Sequence, residues 1–196
     1  MTTTFDQLGL VPELVAALSE GGISEAFPIQ ALTIDDALKG RDVCGKAKTG
    51  SGKTLAFGLP LLQRLQGGPA SRPKRPQALV LVPTRELAVQ VGSVLTPLAA
   101  AVGRRVATVY GGVPMDRQVK ALHRGADVVV ATPGRLIDLG DRGECSVADA
   151  GILVIDEADR MADMASCPRW NGCCAACPVT TRPCCSRPPS TPMCAT

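Results

Sequence analysis

The chain has 196 residues, room for one domain or one and a half. Its 45% hydrophobic and 20% charged residues allow a buried core and exclude global disorder; no apolar run approaches the ~20 residues a bilayer demands, and the Met-Thr-Thr-Thr start is no signal peptide. The net charge of +3 is uneven: the last 32 residues hold three arginines, no acid, six prolines and seven of the nine cysteines, which leaves 18 basic against 18 acidic residues before them.

Residues 1–164 alternate between short β-branched runs and helical stretches. Strands are expected at Asp42–Gly45, Ala78–Val82, Arg105–Tyr110, Asp127–Ala131 and Gly151–Ile155, each apolar on both faces, as strands covered by helices on either side must be. Helices are expected at Gly52–Gln66, Thr84–Ala101, Pro114–Arg124 and Thr132–Leu139, the second with a buried stripe of Leu87, Val91, Val94, Leu95 and Leu98. This rhythm predicts an α/β fold with a doubly wound parallel sheet. Gly67–Gln77, rich in Gly, Pro and basic residues, reads as a surface loop. Cys44 reads as a small core residue, Cys145 as a loop thiol, and His123 as exposed.

Two motifs carry chemistry. Ala47, Lys48, Thr49, Gly50, Ser51, Gly52, Lys53 and Thr54 follow an expected strand and open an expected helix. Gly50 and Gly52 let successive N–H groups point into one concavity that cradles phosphate oxygens. Lys53 would reach the outer phosphates, and the Thr54 hydroxyl would ligate Mg²⁺. Ala47 stands where the strict pattern has glycine, and Lys46 and Lys48 read as solvated flanks. The second motif, Asp156-Glu157-Ala158-Asp159, ends an apolar run, placing carboxylates at the crevice where open α/β sheets bind ligands. Asp156 would hold Mg²⁺ through water, and Glu157 would orient the attacking water. Lys53, Asp156 and Glu157 are therefore the candidate catalytic residues.

With these motifs in hand, the chain resembles the first RecA-like domain of a DEAD-box ATP-dependent RNA helicase. Asp156–Asp159 is the name motif of that family. Phe5 lies 17 residues before Gly22, and the segment Gly22–Gln30 resembles the family's adenine-reading segment, with Ile23 where an aromatic is usual. The resemblance implies that Gln30 reads adenine, since an amide both donates and accepts, with Phe5 packing nearby. It implies ATP and Mg²⁺ as cofactors and a cytoplasmic setting. Pro83, Thr84 and Arg85, then Gly111 and Gly112, then Thr132, Pro133, Gly134 and Arg135 match the family's RNA-contacting motifs in order. N–H groups, threonine hydroxyls and arginines suit sugar–phosphate contacts without base information, so the expected partner is RNA, bound independently of sequence. Protein partners are not indicated.

The resemblance is expected to end at Met164, making 1–164 a partial ATP-binding domain and 165–196 an irregular Cys/Pro-rich tail. Cys174, Cys177, Cys184 and Cys185 admit a metal-site reading, but the second pair is adjacent and no histidine assists. A disulfide framework conflicts with a reducing compartment. A lost base near the Met164 codon explains more. Restoring the frame forces leucine from Cys173-Cys174 and from Cys184-Cys185, glutamate from Trp170-Asn171 and valine from Met193-Cys194. It also permits Gly-Phe-Leu-Pro-Gln-Val-Glu-Trp and then the family's Ser-Ala-Thr. In the family that Ser-Ala-Thr strand lies between the strands bearing the phosphate loop and the acidic motif, so its loss is expected to open the sheet, leaving a poorly folded, inactive fragment.

Overall fold

The computed structural model describes residues 3–48 and 50–164, with side chains to residue 161. Helix α1 (Pro12–Glu20) starts on a proline, whose missing N–H is no loss in a first turn, and buries Leu14 and Leu18 one turn apart. Helix α2 (Pro28–Leu38) also begins on proline, and at its third position Gln30 reaches back to accept the N–H of Phe27 at 2.9 Å. Helix α3 (Lys53–Leu65) starts behind Gly52 and buries a broad leucine face. Helix α4 (Arg85–Ala101) is capped by the Thr84 hydroxyl, which accepts from the Leu87 N–H at 3.3 Å, and buries Val91, Leu95 and Leu98 of the expected stripe.

Four parallel strands follow: β1 (Ala78–Leu81), β2 (Val106–Val109), β3 (Val128–Ala131) and β4 (Ile152–Ile155), in the order β2-β3-β1-β4. Helices α5 (Asp116–His123) and α6 (Pro133–Asp141) and a 3₁₀ turn at Val147–Asp149 connect them, and α7 (Ala158–Met164) follows β4. Alternation along the strands divides the core. Ala78, Val80, Val82, Val128 and Val130 pack with α1, α3 and α4, whereas Leu79, Leu81, Val129 and Ala131 pack with α5 and α6. The sheet is therefore covered on both faces, as a doubly wound fold requires.

One expected strand is missing. Residues 42–45 adopt no strand, and Val43 is 43% exposed. A strand needs a partner for its N–H and C=O groups, and β4 pairs with β1 alone among the described residues. Residues 42–45 have no such strand partner among the described residues, and β4 is half-exposed. Cys44 is consequently exposed rather than in the core, while Cys145, expected as a loop thiol, is buried under the second face.

The basic loop 67–77 is tied down from beneath. Arg104 and Asp127 form a buried ion pair at 3.2 Å. Arg104 also donates to the carbonyls of Pro69 (2.9 Å), Gly68 (2.6 Å) and Leu65, and Asp127 accepts the N–H groups of Ser71 (3.1 Å) and Arg105 (2.9 Å). Both charges keep several partners, the condition under which burying an ion pair is tolerable. The tail 165–196 lies outside the described residues.

Candidate functional site

The phosphate loop rests on two left-handed glycines, Gly50 (φ 84°) and Gly52 (φ 80°), a conformation costing a side-chain-bearing residue ~1–2 kcal/mol. The Ser51 N–H and hydroxyl close the turn onto the Lys48 carbonyl at 3.2 and 2.6 Å. Gly52 is the N-cap of α3 and offers no capping side chain, so the first N–H groups of the helix remain available to an anion. Ala47, Ser51, Lys53 and Thr54 are half-buried, and Lys48 and Gly50 exposed; Thr49 lies outside the described residues. The Gly52 carbonyl is held by Nε2 of Gln30 at 2.9 Å. Gln30 is fully buried, its oxygen engaged by Phe27 and its nitrogen by Gly52, so it ties α2 to the loop. Phe5 is also buried, within the core cluster that holds Leu14 and Leu18 of α1.

At the end of β4 the Asp156 N–H pairs with the Leu81 carbonyl at 3.0 Å, fixing the acidic motif to the sheet. Burial pushes the Asp156 carboxyl above its ordinary range, against the pull of the Glu157 N–H (3.0 Å) and of the Lys53 charge. Glu157 takes a left-handed φ of 51°, strain of the kind stored at functional positions. Its carboxylate meets Arg160 at 2.9 Å, an ion pair whose arginine is exposed and therefore easily released. Among the described residues no group of three or more His, Cys, Asp or Glu can hold a metal by itself. The Thr54 hydroxyl and Asp156 carboxylate are hard oxygen donors, enough for a cation that takes its other ligands from phosphate and water.

The remaining motifs converge above the C-terminal ends of β1, β2 and β3. Thr84 and Thr132 are the N-caps of α4 and α6, with Pro83 buried behind the first and Pro133 opening the second. Arg85 lies over the Tyr110 ring, 5.5 Å from its centroid. Gly112 is left-handed (φ 80°), and a Cβ there would approach Arg85 at 3.5 Å. Gly111 and Gly134 are exposed. Arg135 donates to the Val113 carbonyl (3.1 Å) and to Gln118 (3.3 Å), and Gln118 donates to the Tyr110 carbonyl (3.0 Å). Tyr110 and Val113, which flank the two glycines, thus tie Arg85 through a ring contact and Arg135 through hydrogen bonds into one shelf.

Comparison with known proteins decides the family. The family described as DEAD/DEAH box helicase matches residues 27–187, continuing past the compositional break at Met164. The chain belongs to that family. It is 48% identical over 165 residues to the ATP-dependent RNA helicase RhlB of Xanthomonas oryzae pv. oryzae, covering 82% of this chain and 29% of the relative. It is 47% identical over 160 residues to the DEAD-box ATP-dependent RNA helicase CshA of Streptococcus pneumoniae, covering 82% and 30%. The ADP-bound crystal structure of Prp28 from Chaetomium thermophilum superposes with a TM-score of 0.79 at 38% identity, covering 86% of this chain and 42% of that one. A hypothetical ATP-dependent RNA helicase of Sulfolobus tokodaii gives 0.73 at 37%, covering 84% and 46%. The chain thus spans about three tenths of the curated relatives it matches.

Around these motifs of the helicase family chain, four residues had no signal in the sequence. Gln118 and Tyr110 join the shelf through contacts across connections between strands, and Arg160 reaches Glu157 from α7. Phe27 sits inside the Gly22–Gln30 segment, but nothing in its spacing shows that its ring is exposed. His123, exposed as expected, is also engaged, meeting Glu144 at 2.5 Å at the far end of the domain.

Proposed function

We propose that this chain binds ATP with Mg²⁺ at the loop 47–54 and RNA on the adjoining shelf, as the nucleotide-binding part of an RNA-stimulated ATP hydrolase that opens RNA duplexes. The observation that carries this reading is the convergence of the three RNA-type motifs and the acidic motif over the ends of four adjacent parallel strands, the crevice where such sheets take ligands. In this reading the N–H groups of residues 50–54 bind the phosphates and Lys53 meets their charge. Thr54 and Asp156 hold Mg²⁺, which neutralises the phosphate oxygens when bound, and Glu157 orients the attacking water. Gln30 and Phe5 belong to the nucleotide end, Gln30 by setting the position of Gly52.

Pro83, Thr84, Arg85, Gly111, Gly112, Thr132, Pro133, Gly134 and Arg135 contact the RNA sugar–phosphate backbone, so affinity is independent of sequence and falls with salt. A body with equal numbers of acids and bases leaves that affinity to the local patch. No helix among the described residues is long and apolar enough to cross a membrane; the cytoplasm is the proposed compartment, by the family resemblance. The test is ATP turnover by the full chain with and without an unstructured RNA. RNA-stimulated turnover supports the hydrolase; ATP and RNA binding without turnover would leave a non-catalytic binding fragment, and failure to bind ATP would refute the reading.

A further inference from the structure

Strands β1, β2 and β3 have a second end, away from the shelf, and arginine collects there. Arg72 lies in the loop before β1, Arg105 immediately before β2, and Arg124 at the turn before β3. The three segments meet at Gly125. A Cβ on that left-handed residue (φ 79°) would lie 2.8 Å from the Ser71 carbonyl oxygen and 3.2 Å from Arg105 Nη2, so glycine lets the loop settle against the turn. The Lys74 N–H donates to the Leu122 carbonyl at 2.9 Å, and the Asp127 N–H to the Arg105 carbonyl at 2.8 Å. The buried Arg104–Asp127 pair holds the same segments from beneath, which fixes their relative positions before any ligand arrives.

Charge at this end is unbalanced. Arg72, Arg105 and Arg124 are exposed and make no ion pair among the described residues. The acids bonded to these segments are already engaged. Glu144 meets Lys74 (3.0 Å) and His123 (2.5 Å), Asp149 meets Arg75 (3.3 Å), and Asp127 is buried against Arg104 (3.2 Å). None of the large hydrophobic residues exposed among the described residues lies in these segments. A protein partner is held chiefly by buried aromatic or aliphatic anchors, with charge at the rim. A phosphate backbone is held by cationic groups alone. Exposed guanidiniums on a fixed frame, with no apolar anchor beside them, suit phosphates.

We propose that this end of the sheet is a second RNA-contacting surface, on which Arg72, Arg105 and Arg124 take phosphates of a strand that extends beyond the shelf. This rests on the reading of RNA as the ligand above. Four-residue strands separate the two ends by about 13 Å at ~3.3 Å per residue, before the loops are added, so only an RNA longer than the shelf's own site reaches both. The contacts are to phosphate, so the surface raises affinity without choosing sequence.

The experiment measures binding of the full chain, R72Q/R105Q/R124Q and R72K/R105K/R124K to a fluorescent unstructured RNA over a series of salt concentrations. The RNA has about 30 nucleotides, above the ~4–16 that one single-strand-binding fold covers. The glutamine variant is expected to bind about 10- to 100-fold more weakly at about 0.1 M salt, with the slope of log Kd against log salt lower by about 2, from ~0.7 per lost phosphate contact. The lysine variant is expected to stay within about threefold of the unmutated chain, since charge makes the contact, and both variants to keep its ATP affinity. Unchanged RNA affinity and salt slope in the glutamine variant would overturn the proposal while leaving the shelf intact. A loss of equal size at every salt concentration would also overturn it, by marking altered folding. Weaker binding of poly-L-glutamate with RNA binding unchanged would overturn it in favour of an acidic protein partner. An unmutated chain that binds no RNA at low salt overturns the RNA reading with it.

Discussion

Gln30→Ala separates a structural tether from a simple ligand contact. The side chain is fully buried, accepts from Phe27 N–H and donates to the Gly52 carbonyl, each at 2.9 Å. Truncation removes both bonds, but unequally. The Gly52 carbonyl keeps the Leu55 and Ala56 N–H groups at 3.2 Å, so its loss is near that of one ordinary hydrogen bond, ~0.5–1.5 kcal/mol. The Phe27 N–H loses the side-chain partner that satisfies it, at ~1–3 kcal/mol if it stays dry. Together these come to about 1.5–4.5 kcal/mol, which for a chain of this length lowers the melting temperature by about 3–18 °C. Circular dichroism melts without nucleotide measure this, alongside calorimetric ATP titrations. Gln30→Glu is the companion variant: it keeps an acceptor for Phe27 but sets a second oxygen against the Gly52 carbonyl, and should be no more stable than Gln30→Ala. A nucleotide-free melting temperature within about 1 °C of the unmutated chain, a shift too small for even one lost bond, together with a large loss of ATP affinity, would refute the tether and make Gln30 a ligand contact alone.

Asp127 bears on stability and pH. Burial would raise its carboxyl, but the N–H groups of Arg105 and Ser71 and the Arg104 guanidinium outweigh it and hold the carboxyl below its ordinary range. A depressed folded pKa means stability that is present above the unfolded value near 3.8 and lost as pH falls through the folded one. Asp127→Asn should remove that acid-side dependence and, by leaving Arg104 without its counter-charge, cost about 3 kcal/mol near neutral pH; a urea melt series at several pH values measures both, and parallel pH profiles for the two proteins would contradict the assignment. Ile155, 40% exposed on the β4 edge, is a point for strand-to-strand self-association. Ile155→Lys should lower light scattering at a given concentration, and equal scattering would show that the edge is not the contact. The out-of-frame reading of residues 165–196 is tested by the DNA around the Met164 codon: the alternative frame should continue Gly-Phe-Leu-Pro-Gln-Val-Glu-Trp and reach Ser-Ala-Thr, and its absence there would remove the reading.

Much of the molecule was legible from local pattern. The phosphate loop and the acidic motif are readable because their chemistry depends on residue type over a few adjacent positions: left-handed turns demand Gly50 and Gly52, and a helix opening at Lys53 supplies free N–H groups. Strands β1 and β3 announced themselves by being apolar on both faces, and α4 by its stripe. The failures are all non-local. Residues 42–45 have the composition of a strand, yet a strand exists only where another offers hydrogen bonds, and that depends on the order β2-β3-β1-β4. Cys44 lost its expected core position for the same reason, while Cys145 lies in a loop as expected but is buried by packing against the second face. Gln30 lies in the segment that resembles an adenine reader, but its burial against Gly52 arises from the packing of α2 on α3. The Arg135–Gln118–Tyr110 links join residues from different connections, set side by side only because β2 and β3 are neighbours. Sequence alone determined the parts and their chemistry, because those are properties of short stretches of chain; the tertiary structure decided which parts meet, because pairing and burial belong to the whole sheet.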